Sequence, residues 1–122
     1  MEIALLLVLL PLALVIHESG HAMAALALRL PCRAVLTRYG PGVRIGSDSI
    51  RLERWQVVVT AAAGPAANIG LAALAYRFGL PLLVLANIEF AVVNLLPLPH
   101  SDGSRMLRPA RALARASGTA NR

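Results

Sequence analysis

The chain has 122 residues, 57% of them hydrophobic and 15% charged, with a formal net charge of +6. That apolar fraction excludes an ordinary soluble domain of this length, and the single cysteine, Cys32, excludes an intrachain disulfide. The basic charge is all arginine with no lysine, and no basic stripe is interleaved with aromatics, so nucleic acid is not an expected partner.

Apolar stretches cover residues 3–28, 56–76 and 80–99. Each is near or above the ~20 residues that cross a ~30 Å hydrocarbon core. The expected fold is an all-α membrane protein with three transmembrane helices. A small cytoplasmic antiparallel β-meander should join helices 1 and 2, and a short interfacial helix should follow helix 3. Residues 1–116 are expected to form one membrane-embedded core, with 117–122 a disordered tail. A soluble helical bundle is the competing architecture, but most faces that it would show to water carry no charge.

The first helix should run over residues 3–30, stop before Pro31 and bend at Pro11. Fourteen apolar residues, 3–16, lead into His17-Glu18-Ser19-Gly20-His21, and no charge follows before Arg29. The pattern H-E-x-x-H places two imidazoles on one helical face, four residues apart, where both can meet one metal ion. Glu18 then lies beside the ion, placed to take a proton from bound water. Ionisable groups inside a lipid-spanning stretch are costly, and they mark function by default. At 1.5 Å per residue His17 lies ~21 Å from the outer edge, and so ~9 Å from the cytoplasmic boundary. Ala22-Met23-Ala24 resembles a signal-peptide cleavage site, but the n-region carries Glu2 and no basic residue.

Residues 32–54 alternate in polarity between turn signals at Gly40-Pro41-Gly42 and Gly46-Ser47-Asp48, which predicts strands near 34–39, 43–45 and 49–54. Such a sheet edge can pair with an extended peptide, or it can be a plain connector. The second helix carries Ala61-Ala62-Ala63-Gly64-Pro65-Ala66-Ala67-Asn68 and Gly70, small residues that permit close helix approach in lipid. The third carries Asn87, Glu89 and Asn94 before Pro97, Pro99, His100 and Asp102-Gly103. From Ser104 to Ala116, apolar residues interleave with arginines as in a helix lying on anionic head groups. Six arginines lie between the first two helices, five follow the third, and only Arg77 lies between the second and third. The positive-inside rule therefore places residues 29–54 and the C-terminus in the cytoplasm and the N-terminus outside, in the cell membrane.

A catalytic zinc takes three protein ligands and leaves one position open. The candidates for the third are Glu89, His100 and Asp102. Asp102 lies nearest the depth of His17 and His21, with His100 as competitor. Glu89 sits higher in the helix, as a hydrogen-bonded core carboxyl or as a water-access or gating group.

Three separated motifs coincide here. The chain resembles the site-2 protease family of intramembrane zinc metalloproteases. The resemblance rests on His17-Glu18-Ser19-Gly20-His21, on Ala63-Gly64-Pro65-Ala66-Ala67-Asn68, and on Asn94-Leu95-Leu96-Pro97-Leu98-Pro99-His100-Ser101-Asp102-Gly103. It implies that His17, His21 and Asp102 hold Zn2+ and that Glu18 is the general base. Asn68 and Asn94 match the family's asparagines and would hold the substrate backbone or steady the oxyanion, with helix packing the alternative for each. The implied reaction is hydrolysis of a peptide bond in or near the transmembrane segment of a single-span membrane protein, with a regulatory membrane partner. The chain departs from the family where His100-Ser101 replaces the usual Pro-Leu, which leaves His100 open as a partner behind the ligands, an extra ligand or a solvated cap. It has no room for a PDZ or CBS domain. The alternative is a non-catalytic zinc-binding adaptor or degenerate homologue, against which Glu18 speaks, since a purely structural site needs no base.

Overall fold

The computed structural model describes residues 2–108 apart from Tyr39 and Asp48, with the backbone alone described at Glu2 and Leu6. The chain is mostly helical, with one small antiparallel sheet. In order come α1 (Glu2–Ala27), β1 (Cys32–Thr37), β2 (Gly40–Ile45), α2 (Arg54–Arg77) and α3 (Pro81–Leu95), then helical residues 102–108. The remainder of the expected interfacial helix, and the expected tail, lie outside the described residues.

Helix α1 continues through Pro11 and ends at Ala27, short of the expected 30. Its end is closed by Leu30 N–H, which reaches back 2.8 Å to the Ala25 carbonyl while Arg29 takes a left-handed φ of 55°. Glycine normally fills that place; a side chain there costs about 1–2 kcal/mol. The same closure ends α2, with Leu80 N–H on Ala75 at 3.0 Å and a glycine, Gly79, at φ 66°. Pro81 then opens α3, where its missing N–H is no loss.

The sheet has two strands, not the expected three. β1 and β2 pair from Cys32↔Ile45 to Thr37↔Gly40, and among the described residues the isolated bridge Ser47↔Ile50 is the only other pairing. Gly46 turns the chain back at a left-handed φ of 89°, a conformation that favours glycine. Residues after Leu52 are already engaged in starting α2: the Gln56 side chain accepts from Glu53 N–H at 2.8 Å, one half of a capping box. A third strand would have to give up that helix start. α3 ends at Leu95, where the approaching Pro97 and Pro99 cannot continue it. Its 15 residues span about 22 Å.

All three helices touch one another, while among these elements the sheet lies against α1 alone. Among the described residues, the buried hydrophobic ones are all alanines: Ala13, Ala25, Ala61, Ala72, Ala75, Ala86 and Ala91. With them are buried His17, His21, Thr60, Asn68, Asn87, Ser101 and Asp102. The large apolar side chains point outward instead, among them Ile3, Leu7, Val15, Met23 and Leu26 on α1. Helices over Ile3–Ala27 and Arg54–Arg77 are long and apolar enough to cross a membrane. Small residues let the backbones approach, and α1 meets α2 so closely at Gly20 that a Cβ would collide with the Ala63 carbonyl oxygen. A Cβ on Gly70 meets nothing. Gly20→Ala should therefore lower unfolding stability in detergent by about 1–3 kcal/mol, and Gly70→Ala should raise it by about 0.5–1 kcal/mol. Chemical unfolding of both variants reads the opposite signs.

Candidate metal centre

His17 and His21 leave the same face of α1, one turn apart, with ring centroids 4.7 Å apart and planes at 89°. Phe90 of α3 presents itself to His17 edge-on, at 5.1 Å between centroids. Room for the two imidazoles comes from Gly64 of α2: a Cβ there would lie 2.5 Å from His21 Nε2 and 2.8 Å from His17 Cε1. The apolar run of α2 thus has one position where a methyl group cannot be placed.

Asp102 arrives from the other end of the chain. After α3 the backbone runs extended at Leu96, and His100 adopts a left-handed φ of 67°. Ser101 then reverses the chain. Its hydroxyl is shared between the carbonyls of Leu96 and Leu98, at 2.6 and 2.8 Å, and accepts from Ser104 N–H at 3.2 Å. That last bond makes Ser101 the N-cap of the helical segment that carries Asp102 in its first turn. A Cβ on Gly103 would collide with the Leu95 carbonyl, so glycine lets this turn lie against the end of α3. The Ser101-Asp102-Gly103-Ser104 string carries this cap signal in the residues themselves.

Hydrogen bonds assign the protons. Asn68 Nδ2 donates to the Ala13 carbonyl at 2.9 Å and to Asn87 Oδ1 at 2.8 Å. Its Oδ1 therefore accepts from His17 Nδ1, 2.9 Å away. His21 Nδ1 lies 2.7 Å from the Thr60 carbonyl oxygen, which can only accept. Both imidazoles thus carry their proton on Nδ1 and turn a bare Nε2 lone pair inward. The two Nε2 atoms are 3.1 Å apart, and Asp102 Oδ2 lies 2.9 Å from one and 3.2 Å from the other. Oδ2 is buried with no donor of its own.

Three buried acceptors face one another at one point, which calls for positive charge between them. One proton can join only two of them. A divalent cation at the centre takes all three, and tetrahedral ligands at 2.0–2.1 Å from such an ion stand about 3.3 Å apart, close to the separations here. The buried group of His17, His21 and Asp102 could therefore hold a metal ion. Asp102 Oδ1 faces away, with Arg105 at 3.4 Å.

The ligand group opens onto a cleft of about 430 Å³ lined also by Glu18, Asn94, His100 and the β2 residues Gly42 to Ile45. Glu18 is half-buried, and its Oε2 accepts from Val43 N–H at 2.7 Å. The register explains that bond. Gly46 N–H pairs with the Pro31 carbonyl, hydrogen-bonded pairs alternate from there, and Val43 turns its N–H and C=O away from β1.

The other expected residues separate. Asn94 lines the cleft, its Nδ2 donating to the Phe90 carbonyl at 2.9 Å. Asn68 does not line it: it lies fully buried behind His17 with its amide engaged between helices, which is the helix-packing alternative and not a substrate or oxyanion contact. His100 lies on the cleft wall, outside the three-ligand cluster. Glu89 is exposed on α3, so it is neither a ligand nor a core carboxyl. The contribution of the Thr60 backbone was not readable, because any residue supplies a carbonyl. Comparison with protein-family models, curated proteins and solved structures finds no match.

Because Thr60 holds His21 through its carbonyl, Thr60→Val should leave cobalt(II) binding within about 3-fold of wild type, whereas Gly64→Ala should weaken it at least about 10-fold. Visible absorption of the cobalt-loaded protein in detergent measures both.

Proposed function

We propose that the chain is an intramembrane zinc metalloprotease, similar to the site-2 protease family, that hydrolyses a peptide bond in or near the transmembrane segment of a single-span membrane protein. The observation that carries this reading is the convergence of His17, His21 and Asp102 on one point in a cleft that also holds the Glu18 carboxylate, which is outside the ligand group. Two imidazoles and one carboxylate leave a fourth position open, the donor set of a catalytic zinc.

The bilayer is supported by the outward-facing large apolar side chains and the small-residue core, since lipid removes the reason to bury the former. Trp55 and Tyr76 are exposed near opposite ends of α2, ~32 Å apart along the helix, as aromatic residues at two membrane boundaries would be. In this placement α1, α2, and α3 with the extended residues after it form three spans. Residues 29–54 and the C-terminus are cytoplasmic and the N-terminus is outside, in accord with the arginine distribution.

Bound zinc would bring the pKa of its water toward about 7 and polarise the scissile carbonyl. The chain's own residues do the rest. Asn68 and the Thr60 carbonyl hold the imidazoles with Nε2 inward. Glu18 takes the proton of the attacking water and passes it to the leaving amine. Asn94 Nδ2 keeps a second N–H, beyond its bond to Phe90, for a substrate carbonyl or the developing oxyanion. The open edge of β2 holds a substrate strand extended, so that its amide is no longer shielded in a helix.

One observation favours the rival reading, a zinc-binding adaptor without turnover: Val43 N–H occupies one oxygen of Glu18. A single variant separates the two. Glu18→Gln should retain stoichiometric zinc but lose about 10²–10⁴-fold in the rate of cleavage of a model transmembrane substrate. Equal cleavage by both proteins would sink the protease reading. Zinc without cleavage in the wild type would establish the adaptor.

A further inference from the structure

We infer that Asn87, in the middle of α3, is a positioning residue for the metal centre: it orients the Asn68 amide and through it determines which nitrogen of His17 carries the proton. The inference rests on the metal-site reading and names a residue that the ligand set does not include.

Asn87 is one of the largest side chains with no exposure at all, in a helix whose only other polar residues are Glu89 and Asn94. A buried amide in such a place needs partners for both ends. Its Nδ2 donates to the Leu83 carbonyl, one turn earlier on the same helix, at 2.9 Å. That bond fixes the rotor, since a flipped amide would oppose two carbonyl-type oxygens. Oδ1 is therefore presented to Asn68 Nδ2, at 2.8 Å.

Asn68 takes its orientation from this contact together with the Ala13 carbonyl. Its Nδ2 is held by two acceptors, Asn87 Oδ1 and the Ala13 carbonyl. With Nδ2 so held, Oδ1 must face His17 and accept from Nδ1–H. The opposite orientation would give His17 Nδ1 a donor to face. The imidazole would then carry its proton on Nε2, pointing at His21 Nε2 and Asp102 Oδ2, where a metal ion needs a lone pair. The direction thus passes from the α3 backbone to Asn87, to Asn68 on α2, to His17 on α1. All three helices take part in setting one proton.

His21 is the internal control. Its Nδ1 is held by the Thr60 carbonyl, which has no alternative orientation. A change at Asn87 should therefore act on His17 and spare His21.

The test uses the full chain in detergent, labelled with ¹⁵N-histidine and also titrated with cobalt(II). Asn87→Leu, similar in volume and without an acceptor, should bring Nε2–H tautomer into the metal-free His17 signal while His21 stays Nδ1–H. It should also weaken cobalt binding about 10-fold. Asn87→Asp, which keeps an oxygen facing Asn68, should restore the His17 signal and bring affinity to within about 3-fold of wild type. If Asn87→Leu does not fold, Asn87→Thr, whose hydroxyl is one atom short of Asn68, carries the same expectation. An unchanged His17 tautomer in the Leu or Thr variant overturns the inference, as does equal loss of affinity in the Asp and Leu variants. Failure of the wild type to bind cobalt would instead remove the metal-site reading, while the metal-free tautomer signal would still report on Asn87.

Discussion

Repulsion among three unshared electron pairs is the constraint around which this molecule is arranged. His17, His21 and Asp102 each turn an acceptor to the same point, and buried acceptors without a donor or cation between them destabilise a fold. The surroundings enforce the arrangement instead of relieving it. Asn68 and the Thr60 carbonyl hold the imidazole protons on the far side of each ring, Ser101 caps the turn that swings Asp102 inward, and Gly64 leaves no side chain that could fill the centre. Elements from both ends of the chain contribute to this one point.

The interior that surrounds it is built for approach, not for bulk. Alanines form the apolar core, and Gly20, Gly64 and Gly103 stand where any Cβ would strike a neighbouring backbone or an imidazole. Burying alanine gives far less apolar free energy than burying leucine. The helices are held instead by close backbone contact and by amide hydrogen bonds that cross between them, the pattern expected where the outer medium is itself apolar. A tight small-residue core also has little slack, which lets hydrogen bonds between helices determine which nitrogen of a ring is protonated.

Much of this was legible in the residues. The four-residue spacing of His17 and His21 needs only helical geometry, and the apolar runs marked all three helices. What the sequence could not convey was competition between neighbouring segments. Residues 49–54 alternate like a strand, but the Glu53–Gln56 capping contact draws their end into α2. Asn68 admitted two readings, substrate contact or helix packing, and the three-dimensional placement of Ala13 and Asn87 shows its amide engaged between helices. A backbone carbonyl such as that of Thr60 leaves no compositional trace at all.

The hairpin has a consequence of its own. Val43 offers a single outward N–H, and Glu18 holds it. An incoming extended chain that adds to this edge of β2 offers its own carbonyl for the same hydrogen. One donor cannot fully serve two acceptors, so such docking and the grip on Glu18 are mutually exclusive, and by reciprocity each weakens the other. Arrival of a strand at the rim would then uncover the carboxylate below it, tying readiness for proton transfer to occupancy without any helix having to move.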